Sequence, residues 1–326
     1  MKVIAGGFDS VDYTMIVRSG ARCRAGRIGW VNRPGDSAEP FFVDRDALKR
    51  NFARAAATFA RGDALHREVA RRMLERLDYI KVTPQRVLDL GCGSGADIGA
   101  LSARYPSTRV IGLDIAQPMA LAAAPRVSFL KRWFGRSSTA VCADMAALPF
   151  ADDSFGMIWS NLALHWLDDP AHAIREARRV LVPGGLLMFN TLGPDTLKEL
   201  RNAFAKSDDA LHVKRFIDLH DIGDLLLGAG FGTPVMDMEV ITLTYESAAA
   251  LFADLRATGS VNAMRGRKRG LSGRAALARM HAALNESRIG GRLPATFEVV
   301  YGHAWKSAPR RVAGAASVIR FSPPRK

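Results

Sequence analysis

Apolar residues in the first part of the chain recur at spacings of three and four, the period of a helix with one buried face. Two runs show this spacing, from Leu48 to Phe59 and from Leu65 to Leu77. Asp44 and Asp63 precede them, and a short carboxylate side chain can cap the first turn of a helix. The pattern therefore predicts helices from Asp44 onward, with Asp44 and Asp63 as N-caps.

Beyond residue 80, short apolar runs alternate with segments of helical spacing. The runs that predict strands lie at 87–90, 109–113, 139–142, 156–161 and 185–191. The helical segments between them lie at about 96–105, 117–123 and 170–181. This alternation predicts a doubly wound α/β fold, in which helical crossovers join the strands of a parallel sheet.

The alternation changes after Thr191. Helical spacing continues at about 195–206 and 221–229, and strands are predicted at 235–243 and 299–305. We expect four regions along the chain: an irregular leader at 1–43, a helical cover at 44–80, the main α/β domain at 81–306 and a basic tail at 307–326. Within the main domain, the regions that would cover a substrate are insertions at about 194–218 and 246–294.

The composition is that of a globular protein, with 48% apolar and 24% charged residues. No apolar run approaches the roughly 18 residues of a membrane-spanning helix, so we expect no membrane association. Cys23, Cys92 and Cys142 lack the paired spacing of a disulfide framework or a zinc site. We therefore expect no bound metal and favour a reducing compartment, the cytoplasm.

A glycine-rich turn follows the first predicted strand of the sheet. Residues 89–95 have the sequence DLGCGSG, and helical spacing begins directly after them. Glycine allows the backbone to turn sharply and to approach a ligand closely, at the edge where parallel strands end. Ala96 and Asp97 follow Gly95, where a pyrophosphate-binding fingerprint would continue to a further glycine. The turn therefore favours a nucleoside that carries an amino acid over a dinucleotide.

Two further carboxylates come at the ends of predicted strands. Asp114 ends the second strand, nineteen residues after Gly95, where a carboxylate can accept hydrogen bonds from the two hydroxyls of a ribose. Asp144 follows the third strand, where a carboxylate can accept a hydrogen bond from an exocyclic amine. Together with the glycine turn, these acids predict a nucleoside site.

These motifs resemble those of the class I S-adenosylmethionine-dependent methyltransferases of the methyltransferase 11 type. The blocks at 153–158 and 183–185 also match, so the resemblance covers about residues 84–306. It implies a seven-stranded Rossmann-like sheet with an antiparallel last strand, and S-adenosyl-L-methionine as cofactor. The cofactor-binding residues that it implies are Asp89, Gly91, Gly93, Gly95, Asp114, Ile115, Asp144, Met145 and Asn161.

The segments Ser160–Trp166 and Thr191–Leu200 resemble a narrower family, the malonyl-acyl-carrier-protein O-methyltransferases of biotin synthesis. This resemblance implies methylation of the free carboxylate of a malonyl thioester on acyl carrier protein. The complex I assembly factors described as arginine hydroxylases share nearly the same motifs and stay an alternative. One departure concerns Phe59, where members of the biotin family often carry a tyrosine whose hydroxyl contacts the cofactor.

A malonyl carboxylate is ionised at neutral pH, because carboxyl groups have pKa values of about 4. It can therefore attack a sulfonium methyl without a general base, and no Ser-His-Asp or paired-carboxylate constellation is visible in the sequence. His165 could position the substrate. Arginine can bind a carboxylate through two parallel hydrogen bonds, and Arg215 is our first candidate, with Arg201 second.

The net charge of +14 at pH 7 is concentrated in residues 256–292, which contain nine basic residues and one acid, Glu286. Acyl carrier proteins are strongly acidic, so this segment would attract them. A nucleic-acid-directed methyltransferase would also carry basic charge. However, the chain has neither a base-reading module nor an Asn-Pro-Pro-Tyr-like block after the fourth strand, which makes nucleic acid the weaker alternative. A non-catalytic assembly protein that binds the cofactor is a third alternative.

Overall fold

The computed structural model describes residues 16–18, 42–124, 139–270 and 272–307. Of residues 16–18 it describes the backbone alone. The expected leader and basic tail lie almost entirely outside these ranges. Within the described residues, no helix combines the length and the hydropathy needed to cross a bilayer.

The helices, numbered in chain order, have the following bounds: α1 (Arg45–Ala55), α2 (Phe59–Gly62), α3 (Ala64–Arg76), α4 (Ala96–Arg104), α5 (Gln117–Ala123), α6 (Pro170–Val180), α7 (Lys198–Ala205), α8 (Leu219–Gly228), α9 (Ala248–Ala257) and α10 (Arg274–Glu286). The strands are β1 (Ile16–Arg18), β2 (Arg86–Leu90), β3 (Arg109–Asp114), β4 (Thr139–Cys142), β5 (Phe155–Ser160), β6 (Leu181–Leu192), β7 (Phe231–Tyr245) and β8 (Leu293–Lys306).

One sheet contains all these strands, in the order β1-β7-β8-β6-β5-β2-β3-β4. Strands β2 to β6 pair in parallel, whereas β8 runs antiparallel between β6 and β7. The predicted doubly wound sheet of seven strands with an antiparallel last strand is therefore confirmed. The three-residue strand β1 adds an eighth strand at one edge, which the sequence analysis did not predict.

The core lies on both faces of this sheet. Met188 and Phe189, successive residues of β6, are both buried and pack into different hydrophobic clusters, because successive side chains of a strand point to opposite faces. Strands covered on both faces are almost wholly apolar, which explains the continuous apolar runs in the sequence.

The helix starts agree in part with the prediction. The Asp44 carboxylate accepts a hydrogen bond from the Ala47 backbone N–H at 3.0 Å, which confirms it as the N-cap of α1. Asp63 occupies the predicted N-cap position of α3, and its backbone carbonyl accepts from the Arg67 N–H at 2.9 Å, but its side chain makes no capping hydrogen bond. Helix α7 begins at Lys198 rather than at 195, since Glu298 accepts from the Asp195 N–H at 2.7 Å and holds a turn there.

Candidate active site

The glycine turn between β2 and α4 depends on left-handed backbone conformations. Gly91, Gly93 and Gly95 have φ values of +77°, +50° and +88°, a region that side chains disfavour. A Cβ atom on Gly95 would also lie 2.7 Å from the Cα atom of Ala123. These positions therefore require glycine, which keeps the turn narrow and leaves its backbone accessible to a ligand.

Asp114, at the end of β3, fixes this turn from the neighbouring strand. Its carboxylate accepts hydrogen bonds from the backbone N–H of Gly93 at 3.0 Å and of Ala116 at 2.8 Å. The side chain is largely buried, and burial raises the pKa of Asp114 to about 6. The carboxylate thus lies directly beside the glycine turn, as the order of the parallel strands predicts.

A cavity of about 510 Å³ opens at the carboxyl ends of the central strands. We call it the cofactor cleft, and its volume is in the range of small-molecule sites. Seven of the nine predicted cofactor-binding residues line it: Gly91, Gly93, Asp114, Ile115, Asp144, Met145 and Asn161. The narrow glycine turn, the carboxylates and the adjoining apolar side chains fit the chemistry of a nucleoside joined to an amino acid.

The two other predicted cofactor-binding residues are Asp89, within β2, and Gly95, the last residue of the glycine turn. Asp89 is 1% exposed, and its carboxylate oxygens have no hydrogen-bond partner among the described residues. Burial, together with the charges of Asp97 and Asp114, raises the pKa of Asp89 well above its usual range. Neither Asp89 nor Gly95 lines the cofactor cleft.

Asp144, which also lines the cofactor cleft, contacts the first helix, α1, through an ion pair. One carboxylate oxygen accepts from the Ala146 N–H at 2.9 Å, and the other forms an ion pair with Arg45 at the start of α1. Arg45 also lines the cleft, although the sequence analysis did not single it out. The periodicity of α1 indicates a buried face but does not show which loop the helix covers.

A second cavity, of about 260 Å³, adjoins the cofactor cleft. We call it the apolar cavity, because apolar side chains, chiefly leucine, phenylalanine and valine, form most of its walls. These walls come from α3, α7, β7, α9 and the segment after α9, so residues of both predicted insertions contribute. His66, Leu162 and Trp166 line both cavities. A substrate in the apolar cavity would therefore meet the cofactor at these three residues.

Two histidines lie at this junction. Burial lowers the pKa of His66 to about 4, and burial, with the charges of Lys214 and His66, lowers the pKa of His165 well below its usual range. Both rings are therefore neutral at physiological pH. The Nδ1 atoms of both are buried without a hydrogen-bond partner among the described residues. His165 was predicted, whereas His66 was missed because it lies within an ordinary amphipathic pattern.

The structure does not bring the predicted arginines to the apolar cavity. Arg215 is exposed and lines a smaller cavity of about 30 Å³, which shares His165, Lys214 and Phe216 with the apolar cavity. Arg201 donates to the Thr196 carbonyl oxygen at 2.9 Å and lines neither large cavity. Two other basic residues line the apolar cavity, Lys214 and Arg256. The segment at 208–218 forms neither helix nor strand, so no periodicity could show which of its side chains face inward.

The conspicuous block Thr191–Leu200 supports the cavity wall. The Glu199 carboxylate accepts hydrogen bonds from the backbone N–H of Thr296, at 3.1 Å, and from its hydroxyl group. These bonds fix α7 against β8 and place Leu197 and Leu200 in the wall of the apolar cavity. Glu199 therefore has a structural role in this block.

Comparisons with known proteins agree with this geometry. The family described as "Methyltransferase domain" matches residues 88–189. The malonyl-[acyl-carrier protein] O-methyltransferase of Laribacter hongkongensis is 51% identical over 291 residues, which cover 87% of this chain and 98% of that protein. The enzyme of the same name from Gallionella capsiferriformans is 50% identical and covers 86% and 98%. The crystal structure of the YcgJ protein from Bacillus subtilis is 17% identical, covers 73% of this chain and 98% of its own, and has a TM-score of 0.51.

The sheet, the glycine turn and the matched domain define a class I methyltransferase that uses S-adenosyl-L-methionine. The chain belongs to the malonyl-acyl-carrier-protein O-methyltransferase family, since its relatives of that name match over almost their whole length. This similarity favours the biotin-type family over the arginine hydroxylase alternative, which the short motifs could not separate.

Proposed function

We propose that this enzyme methylates the free carboxylate of a malonyl thioester carried by acyl carrier protein, in the cytoplasm, as a step of biotin synthesis. The observation that carries the proposal is the apolar cavity that meets the cofactor cleft at His66, Leu162 and Trp166. A thioester with a short acyl chain fits such a cavity, and its terminal carboxylate would reach the cleft. Family membership supports the same substrate.

The chemistry of the junction suits a nucleophile that is already ionised. Bound S-adenosylmethionine supplies a methyl group on a positively charged sulfur, and its transfer to a carboxylate forms one C–O bond, breaks one C–S bond and moves no proton. The two neutral histidines are therefore not needed as bases. Proximity, orientation and exclusion of water would provide most of the acceleration, and such effects can contribute roughly 7–11 kcal/mol.

We also propose that the acidic carrier docks on the exposed part of the basic segment 256–292. Several basic residues of the segment make internal contacts instead: Arg267 with Asp44, Lys268 with Asp208, Arg279 with Ser207, and Arg292 with Thr244. Arg256, Arg269 and Arg274 are exposed, and Arg256 also lines the apolar cavity. These three arginines would steer the carrier to the cavity by electrostatic attraction.

Charge reversal at Arg269 and Arg274 tests the docking surface. In the double variant Arg269→Glu/Arg274→Glu, we expect a severalfold higher KM for malonyl-acyl carrier protein and little change for a small malonyl thioester, which needs no docking. Added salt should reproduce the loss in the wild type, because exposed charges are screened beyond roughly 8 Å at physiological ionic strength.

The matched control reverses Arg86 and Arg109, two exposed residues that pair at the amino ends of β2 and β3, away from the cofactor cleft. It should behave like the wild type on both substrates. Equal losses on both substrates in the Arg269→Glu/Arg274→Glu variant would contradict carrier docking. Tight, salt-sensitive RNA binding that this variant abolishes would favour the nucleic-acid alternative.

A further inference from the structure

We propose that Lys214 binds the carboxylate of the substrate and makes the enzyme select the free acid over its methyl ester. The inference rests on the proposed function, to which it adds a specificity-determining residue. Neither the sequence motifs nor the relatives point to this residue, because Arg215 next to it was the expected carboxylate ligand.

The position of Lys214 is the first argument. Its side chain lines the apolar cavity together with His66, His165 and Trp166, three residues at or beside the junction with the cofactor cleft. The charge of Lys214 acts on His165, which places the ammonium group near the imidazole. A carboxylate that reaches the junction would therefore meet a cation there. The exposed Arg215 does not line the apolar cavity, but only a smaller neighbouring cavity that Lys214 and His165 also line.

The unused hydrogen-bonding capacity of Lys214 is the second argument. An ammonium group has three N–H donors. The structure describes one hydrogen bond from Nζ, to the Leu167 carbonyl oxygen at 3.2 Å. The other two donors have no acceptor among the described residues. Two donors are enough to bind a carboxylate.

The uncompensated charge of Lys214 is the third argument. Within the described ranges, no carboxylate lies at ion-pair distance from Nζ. The Asp168 carboxylate attracts the ammonium group electrostatically from farther away. The same carboxylate accepts a hydrogen bond from the Val43 N–H at 2.8 Å. Burial lowers the pKa of Lys214 to about 8. Desolvation of a partly buried cation with no carboxylate at ion-pair distance is unfavourable, so an anionic ligand beside Lys214 would be stabilised.

This arrangement has a consequence for turnover. The carboxylate substrate is an anion, whereas the methyl ester formed from it is neutral. Lys214 would attract the substrate and lose this attraction once the methyl group is transferred. Loss of this ion pair would favour release of the product. An already methylated substrate could not form the ion pair and would therefore bind more weakly.

Calorimetry on the enzyme saturated with S-adenosylhomocysteine tests the inference. The two probes are malonyl N-acetylcysteamine thioester and its methyl ester. We expect the wild type to bind the acid at least about tenfold more tightly than the ester, the equivalent of ~1.4 kcal/mol for a charge-assisted contact. Lys214→Met should abolish this preference, Lys214→Arg should retain most of it, and the control Arg215→Met should keep it unchanged.

The pH dependence gives a second readout. The other ionisable or charged groups that line the cavities around Lys214 are His165 and His66, which are neutral, together with His212, Asp254, Arg256 and Arg215. Asp168 acts on Lys214 electrostatically. Because the pKa of Lys214 is about 8, the preference of the wild type for the acid should fall as the pH rises above 8. In Lys214→Arg it should stay constant over that range, since guanidinium groups remain charged.

The outcomes separate this inference from the proposed function. If the wild type fails to methylate a malonyl thioester, the proposed function is wrong. If the wild type methylates it and Lys214→Met still prefers the acid, Lys214 is not the carboxylate ligand. Unchanged S-adenosylhomocysteine affinity and melting temperature in Lys214→Met would show that the variant is folded and that its cofactor cleft is intact.

Discussion

The Asp114 carboxylate both holds the glycine turn and lines the cofactor cleft. In Asp114→Asn, we expect a loss of about ten- to a hundredfold in S-adenosylmethionine affinity, because hydrogen bonds to a charged group contribute roughly 1.5–3 kcal/mol. Wild-type affinity should also weaken below about pH 6, since the pKa of Asp114 is about 6 and protonation removes the acceptor charge.

Isothermal titration calorimetry between pH 5 and 8 measures both effects, and the melting temperature serves as the control for folding. The asparagine variant should lose the pH dependence together with the affinity. Unchanged affinity in Asp114→Asn, with a normal melting temperature, would refute the assignment of this residue to the ribose.

Residues at strand ends were the ones that the sequence could predict. Asp114 is the last residue of β3 and Asp144 follows β4, and these neighbouring parallel strands end at the same edge of the sheet. Asp89 belongs to the same motif but lies within a strand, where its side chain is directed into the protein. Lys214 could not be distinguished from Arg215, because their segment has no regular structure and therefore no period.

At the scale of elements, the helix α1 is fastened over the cofactor cleft by the loop after α9. Arg267 donates to Asp44 at 2.9 Å and to the Met264 carbonyl oxygen at 2.8 Å, and Asp44 N–H donates to the Ala263 carbonyl oxygen at 2.7 Å. Arg45, at the start of α1, contacts Asp144 in the cleft. Part of the basic segment thus fixes the start of α1 beside the cofactor cleft.

Removing this contact should loosen the cover. In Arg267→Ala, we expect the dissociation rate of S-adenosylmethionine to rise by up to about tenfold, because one charge-assisted bond contributes ~1.5 kcal/mol. We also expect amide hydrogen exchange in α1 to become faster. The control Arg71→Ala breaks exposed ion pairs with Glu68 and Glu75 on α3, and it should leave both quantities unchanged. A dissociation rate equal to the wild-type rate in Arg267→Ala would contradict the role of this contact.

The periodicity of apolar residues predicted the alternating strands and helices within a few residues. It missed α9 and α10 as individual helices, because their apolar residues are less regularly spaced than those of the earlier helices. It also could not show that Asp44 pairs with Arg267, more than 200 residues away along the chain. Such contacts depend on how insertions fold over the sheet, which local patterns do not determine.

At the scale of the whole molecule, the basic charge and the two cavities support one function. The cofactor cleft lies at the carboxyl edge of the sheet, and the apolar cavity meets it at three residues. The basic segment that forms one wall of the apolar cavity also carries exposed arginines. Transfer of a methyl group to the carboxylate of a carrier-bound thioester would use each of these features.

The most direct test is the mass of malonyl-acyl carrier protein after incubation with the purified protein and S-adenosylmethionine that carries an isotopically labelled methyl group. We predict that the carrier gains one labelled methyl group on its malonyl moiety, and that mild alkaline hydrolysis of the ester releases the label as methanol. A carrier of unchanged mass, or a label that appears on nucleic acid or on a protein side chain instead, would contradict the proposed function.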